Sequence, residues 1–393
     1  MNKNKSTTPK RSSGKERIMS FINKKRLVSL FCDLAKIKSP SGYEDEISSF
    51  VSQKMAKLGL SVQKDDHGNL IAKLQGIGRP IILCGHLDTV VVGPGTEIKP
   101  IIDGDVIRSD GTTVLGADNK GFIAAIIEAI SVIAESRLPH RPLEIVFTRE
   151  EEAISKGAKR LDISLLNGKE CLIADDASPL GRITQSAPFN EKFDITFLGK
   201  TAHVKNPDRG INAIQVAAQF ICEMPLGRVG GFTTVNVAHV LGGLAGVTDK
   251  AEASAMQDQL RNTIPDFAKI FGEIRGPKKD EFETLLAMIK RTCKDVAKKT
   301  GAKVEFTSAR LANGYFHDES DPLVRHVVSV FDSQGTKHSF YHSIGGSDAN
   351  VLNERGIKTV VISSGEKDTH TVNEQIKIKD LISLTDFIIK FVS

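Results

Sequence analysis

No apolar run in this chain approaches the roughly 20 residues that a helix needs to cross a bilayer, so a membrane-spanning role is not expected. Cysteine is sparse: Cys32, Cys84, Cys171, Cys222 and Cys293 are odd in number, widely spaced and mostly set in apolar stretches such as Ile81 to Cys84. That pattern argues against a disulfide-stapled scaffold and predicts free, buried thiols. An excess of one charge is also missing from the body of the chain. The formal net charge is +5, but residues 1–25 carry eight Lys or Arg against one Glu, which leaves the remainder slightly acidic. A nucleic-acid partner, which would need clustered phosphate contacts, is therefore not expected. The opening stretch Met1 to Ser20 has almost no apolar residue to offset its ordering entropy, and residues 1–24 are expected to form a disordered basic tail. It lacks both the apolar segment of a secretory signal and the amphipathic repeat of a transit peptide, so the expected location is the cytoplasm.

What is present is a chain of 393 residues, 40% apolar and 26% charged, long enough for two domains or for one with a substantial insertion. Ser41 with Glu44 has capping-box spacing and announces a helix over Glu46 to Leu58. Short β-rich runs follow at Leu70 to Leu74 and Ile81 to Cys84. A long apolar helix is expected from about Gly121 to Ile133, then strands at Leu143 to Thr148 and Cys171 to Ala174. Alternating strands and helices predict an α/β fold with a mostly parallel sheet covered by helices. Past Pro188 the pattern restarts as strand Lys192 to Leu198, helix Asn212 to Glu223, strands Thr234 to Val240 and Phe267 to Ile274, helix Glu281 to Lys299 and strand Lys303 to Thr307. This βαββαβ order predicts an inserted ferredoxin-like domain. The α/β pattern then resumes with helices Pro322 to Ser333 and Asp348 to Glu354, strand Thr359 to Ser363 and helix Lys379 to Val392. The expected division is a catalytic domain over 25–187 and 310–393 with the insert at 188–309. The segment Gly246 to Arg261, rich in Ala, Gln, Asp and Glu, is expected to be an extra helix or loop.

The chemistry-bearing residues fall where strands end. His86 and Asp88 follow an apolar strand, at the carboxyl edge where open α/β sheets place their ligands. Alone, a His-x-Asp pair is more often two polar side chains exposed at a strand end, and Asp118 in Gly116-Ala117-Asp118-Asn119-Lys120-Gly121 would more often be an ordinary N-cap. Glu150, Glu151 and Glu152 end another strand, and three adjacent carboxylates in a crevice call for a cation. Asp175 and Asp176 end the next strand, and His370 follows the last. Imidazoles mixed with carboxylates at five strand ends suit zinc, cobalt or manganese.

These motifs, together with Gly157-Ala158 and Gly346-Ser347-Asp348, make the chain from about Lys25 onward resemble the dinuclear zinc peptidases that include peptidase T, carboxypeptidase G and succinyl-diaminopimelate desuccinylase. The peptidase T-like branch is the most similar. The resemblance implies two divalent ions per chain: His86 and Asp175 on one, Glu152 and His370 on the other, and Asp118 bridging. It implies Asp88 as the residue orienting His86 and Glu151 as general base, leaving Glu150 outside the site. Asp175 is preferred to Asp176 because its spacing to Gly181 is similar to the peptidase T-like pattern. His203, in Gly199-Lys200-Thr201-Ala202-His203, resembles the histidine that enters the partner's site in a homodimer, although a lone histidine is more often structural. Asn262 and Arg275 resemble residues holding a substrate carboxylate, for which a guanidinium fork is suited, and Gly346 and Ser347 are implied in substrate binding. The implied activity is hydrolysis of short peptides, as a tripeptidase or aminopeptidase. An N-acyl amino acid deacylase or carboxypeptidase on the same scaffold is the enzymatic alternative, because the pocket alone decides the substrate. A catalytically silent metal-binding dimer is the alternative outside enzymes, and the presence of Glu151 speaks against it.

Overall fold

A computed structural model describes residues 21–247 and 261–393, which divide into two compact units. The first holds the described residues up to Gln185 with His317–Tyr341 and Ser347–Ser393; the second holds those of Ser186–Phe316 with His342–Gly346. The expected tail up to Ser20 and most of the segment from Gly246 to Arg261 lie outside the described residues.

The first unit is built on a mixed sheet. In spatial order its strands are Ser61–Lys64, Leu70–Leu74, Leu143–Thr148, Ile81–His86, Glu170–Ala174, Lys358–Ile362 and Arg182–Ala187. The four from Leu143–Thr148 to Lys358–Ile362 run parallel, and the flanking strands pair with them antiparallel. Every residue of Ile81–His86 and of Leu143–Thr148 is buried. Successive side chains point to opposite faces, so both faces of the sheet are covered at these strands. Helix Ala117–Ser136 is buried almost all round and shares one apolar core with helices Lys24–Lys36 and Ile378–Val392. Because four strands run the same way, their carboxyl ends share one edge, which brings the segments after His86, Thr148, Ala174 and Ile362 together.

Two sequence expectations are corrected. Among the described residues the first helix is Lys24–Lys36, ahead of the one after Ser41, so Lys24 belongs to a helix and not to the expected tail. Asn23 caps that helix by accepting from the Arg26 N–H, and Leu27, Leu30, Phe31 and Leu34 form its buried stripe. Helix Asp45–Lys57 has Glu44 as its N-cap, with no side-chain capping bond. Ser41 does not cap it because its hydroxyl donates to Asp88 instead, at 2.7 Å.

The second unit is a five-stranded antiparallel sheet in the order Gly227–Arg228, Thr234–Gly243, Phe267–Gly276, Phe189–Leu198, Lys303–Ala312. Its helices Ala213–Glu223 and Lys279–Thr300 share a core with that sheet. Apart from the two-residue edge strand, this is the ferredoxin-like order.

Helix Lys24–Lys36 is tied down by a buried charge. Arg26 donates through Nε to Glu128 Oε2 at 2.6 Å and through Nη2 to Oε1 at 2.9 Å, while Glu128 is wholly buried. Arg26→Met removes the charge partner of that carboxylate, leaving it the Asn23 N–H at 2.8 Å, and should cost about 3 kcal/mol of stability, whereas Arg26→Met combined with Glu128→Leu should recover most of it. Urea titration of the two variants checks this; equal midpoints would show that the pair is not coupled.

Candidate metal centre

Asp88 organises the edge where the four strands end. It is completely buried. Its Oδ1 accepts from the Glu151 N–H at 2.9 Å, and its Oδ2 accepts from the Glu152 N–H at 3.1 Å and from the Ser41 hydroxyl at 2.7 Å. Its backbone carbonyl lies 2.9 Å from His86 Nδ1, which fixes that nitrogen as the donor and turns Nε2 toward the carboxylates. Burial opposes ionisation of Asp88, but His86 and the Ser41 and Glu151 donors outweigh it and hold the carboxyl below its usual range.

His86 Nε2 lies 3.0 Å from Asp118 Oδ1 and 3.6 Å from Asp175 Oδ1. On the other side of Asp118, His370 Nε2 is 3.4 Å from Oδ2 and 2.8 Å from Glu152 Oε1. Asp118 thus stands between two imidazoles, each with a further carboxylate. Asp118 is no N-cap: Gly116 takes that place with φ +77°, a left-handed conformation that favours glycine, and Asp118 itself has non-helical ψ of 104°. Gly85 is equally constrained, since a Cβ there would sit 2.5 Å from Asn119 Oδ1. Asn119 Nδ2 donates to the Ala174 carbonyl at 2.6 Å, next to Asp175.

Burial and mutual charge set the ionisation of the cluster. Burial, then the charge of Asp118, pushes Asp175 up to about 7; burial, then Asp175, pushes Glu151 well above the carboxylate range. Asp118 stays well below that range despite burial, because His370 and His86 face it. His370 in turn is pushed up to about 10 by Asp118 and Glu152. Carboxylates this close are mutually stabilised only by positive charge, and a donor set of oxygens and imidazole nitrogens fits divalent ions. Ligand atoms of His86, Asp118 and Glu152 lie within 4.8 Å of one another, so the donors on the two sides of Asp118 face one small space.

Neighbouring acids are sorted by their partners. Glu150 turns away to Lys156 at 2.9 Å and His67 at 3.2 Å. Asp176 is held by Arg182, whose Nε donates to Oδ2 at 2.7 Å.

Residues 82–393 match the model of peptidase family M20/M25/M40. This is a member of the M20/M25/M40 peptidases. An uncharacterized protein of Bacillus subtilis, YqjE, is 32% identical over 383 residues, covering 95% of this chain and 99% of its own. The solved aminopeptidase PepT of Bacillus cereus is 33% identical with a TM-score of 0.84, covering 95% of this chain and 98% of that one. A solved tripeptidase of Staphylococcus aureus is 30% identical with a TM-score of 0.80 over the same shares.

Of the remaining site candidates of this M20 chain, His203, Asn262, Arg275 and Gly346 belong to the second unit and Ser347 to the first. His203 is paired with Thr263 in a short antiparallel bridge, and the Val204 N–H donates to the Asn262 carbonyl at 3.1 Å, so His203 and Asn262 are neighbours. Arg275 is not an open fork: its Nε lies 2.5 Å from Glu273 Oε1, and Nη1 donates to the Ile344 carbonyl at 3.2 Å. Glu273 was not singled out from sequence, though a charged pair two apart on a strand shares a face. Gly346 ends the second unit, and Ser347 caps helix Asp348–Glu354, its Oγ accepting from Ala349 N–H at 3.3 Å.

Sequence reasoning read Ser41 only as a helix cap and missed Glu374. Glu374 is buried and accepts from the N–H groups of Leu115 and Gly116, each at 2.8 Å, and of Asp118 at 3.1 Å. Its only signal was a carboxylate four residues beyond His370.

The different partners of the paired aspartates give a test. Asp175→Ala should lower bound metal by about one ion per chain, whereas Asp176→Ala should keep metal and lose stability through the unmatched Arg182. Metal analysis by mass spectrometry after desalting reads this directly; the reverse pattern would exchange their roles.

Proposed function

We propose that this chain is a zinc-dependent peptidase of short peptides, a tripeptidase or aminopeptidase, working in the cytoplasm as a homodimer. The observation that carries the reading is the convergence of His86, Asp118, Glu152, Asp175 and His370 at one sheet edge with Glu151 beside them. We assign His86 and Asp175 to one ion, Glu152 and His370 to the other, and Asp118 to both. Zinc suits two imidazoles among carboxylates, with cobalt and manganese the substitutes. When bound, the two ions supply Lewis-acid polarisation of the scissile carbonyl and activation of a water. Glu151 takes the proton as that water adds to the carbonyl carbon, and returns it to the amine as the C–N bond breaks. Its backbone is held by Asp88, and its Oε1 lies 3.4 Å from the Ser155 hydroxyl. Asp88 keeps the His86 ring in the tautomer that presents Nε2. His203 is assigned to hydrogen-bond the developing oxyanion at the site of a second copy, a contact that gains strength as charge develops. Asn262, Arg275, Gly346 and Ser347 are assigned to the substrate, Arg275 and Asn262 to its carboxylate. Support for a peptide substrate comes from the similarity to an aminopeptidase and a tripeptidase over nearly the whole chain.

Incubating the metal-loaded protein with di-, tri- and tetrapeptides and N-acyl amino acids, and weighing the products, tests the reading. Cleavage of tripeptides is expected; release of acyl groups alone would make it a deacylase. Glu151→Gln should keep the native metal content and lower kcat by about 10³-fold, because it removes a proton carrier and no ligand.

A second test concerns the substrate carboxylate. Amidating the C-terminus of a good tripeptide should lower kcat/KM about 30-fold, near 2 kcal/mol, and Arg275→Ala should erase most of the difference. Since Glu273 already holds Arg275, Glu273→Gln should sharpen the preference for the free carboxylate. Equal cleavage of free and amidated peptides by the native enzyme would leave Arg275 a structural partner of Glu273.

A further inference from the structure

His370 is the metal-centre candidate least supported by regular structure. It lies between the two-residue strand Glu366–Lys367 and the three-residue strand Gln375–Lys377, and its backbone is left-handed at φ +61°. Such a conformation persists in a non-glycine residue only when its surroundings hold it. The return leg of this turn carries Glu374, 1% exposed, whose Oε2 takes the N–H groups of Leu115 and Gly116 and whose Oε1 takes that of Asp118. Around it the backbone is also tied: the Glu374 carbonyl accepts from Ser109 N–H at 3.0 Å, and its N–H donates to the Thr371 carbonyl at 3.3 Å. Strand Gln375–Lys377 then pairs with Val106–Arg108.

We infer that Glu374 is a positioning residue that locks the Asp118 turn and the His370 turn into one piece, and so sets the affinity for the ion on the Glu152–His370 side. This rests on the metallopeptidase reading. Three converging N–H donors form an anion nest, and a carboxylate is the side chain with two acceptor oxygens and no donor to fill it. The nest opens directly before Asp118, so the carboxylate restrains the backbone of the bridging residue. His86 and Asp175 are set by the ends of buried parallel strands and do not depend on this lock. His370 does, because four residues separate it from the anchor.

Glu374→Gln keeps the volume but offers one acceptor and one donor, so either the Leu115 and Gly116 pair or Asp118 faces an N–H. Zinc titration of the metal-free protein by calorimetry should then show one ion bound with native affinity and the other weakened at least about tenfold. At saturating zinc, kcat for a tripeptide should fall about tenfold, with KM changed less than about threefold. Glu144→Gln is the control. Glu144 is another buried carboxylate clamping backbone, with the Asn167 N–H at 2.9 Å and the Gly168 N–H at 2.8 Å, at the start of strand Leu143–Thr148. It should lower the melting temperature and leave both zinc affinities unchanged.

Native affinity for both ions in Glu374→Gln overturns the inference, even with a lower melting temperature. Weakening of the same ion in both variants overturns it too, since any loosened clamp would then suffice. Should Glu374→Gln not fold, Glu374→Asp retains the charge one methylene short of the nest and is expected to weaken the same ion; native affinity there counts against the lock. A wild-type chain that binds two ions but cleaves no peptide refutes the peptidase reading while the zinc comparison still decides the role of Glu374. A wild-type chain that binds no zinc refutes both.

Discussion

The carboxylate of Asp88 is the interaction on which the centre depends. A buried charge is costly unless each lone pair is answered, and here Ser41 and the N–H groups of Glu151 and Glu152 answer it, while its own carbonyl fixes His86. One side chain therefore sets the strand end that carries His86, the turn that carries both glutamates and the loop before helix Asp45–Lys57. Its geometry is preorganised by the parallel pairing of Ile81–His86 with Leu143–Thr148, which holds His86 opposite Thr148.

Around that anchor the protein concentrates negative charge that does not stabilise the fold by itself. Asp175 and Glu151 lie in a desolvated edge where burial and the neighbouring carboxylates raise the cost of ionising them. The surrounding framework absorbs this cost through its core, which is continuous from the helix Ala117–Ser136 to the C-terminal helix. Divalent ions convert the same repulsion into attraction, so the centre and the metal are two halves of one electrostatic balance. The rigid strand ends present His86 and Asp175, and the clamped turn at Glu374 presents His370.

Much of this was legible in the sequence because apolar periodicity and strand-end chemistry are local. The strand Leu143–Thr148 and the helix Asp348–Glu354 agree residue for residue with their apolar patterns. Helix Lys24–Lys36 was equally readable from Leu27, Leu30, Phe31 and Leu34, but the basic residues around it obscured the stripe. The strands Ile101–Asp103, Val106–Arg108, Glu366–Lys367 and Gln375–Lys377 were not, since two or three residues carry no period to detect.

The sequence by itself determined the donor types, the strand ends that carry them and the family likeness, because each rests on residue identity and on patterns a few residues long. Tertiary structure decided which of several similar acids is already engaged by a basic side chain. In the sequence only a likeness of spacing sets Asp175 apart from Asp176 and Glu150 apart from its neighbours; in the fold Arg182 engages Asp176, and Lys156 and His67 engage Glu150. It also turned Ser41 from an apparent helix cap into a donor to Asp88, placed Glu273 in the fork of Arg275 and closed Glu374 over the Asp118 turn. A hydrogen bond has reach of about 3 Å and no memory of sequence distance, so such choices exist only once the chain has folded.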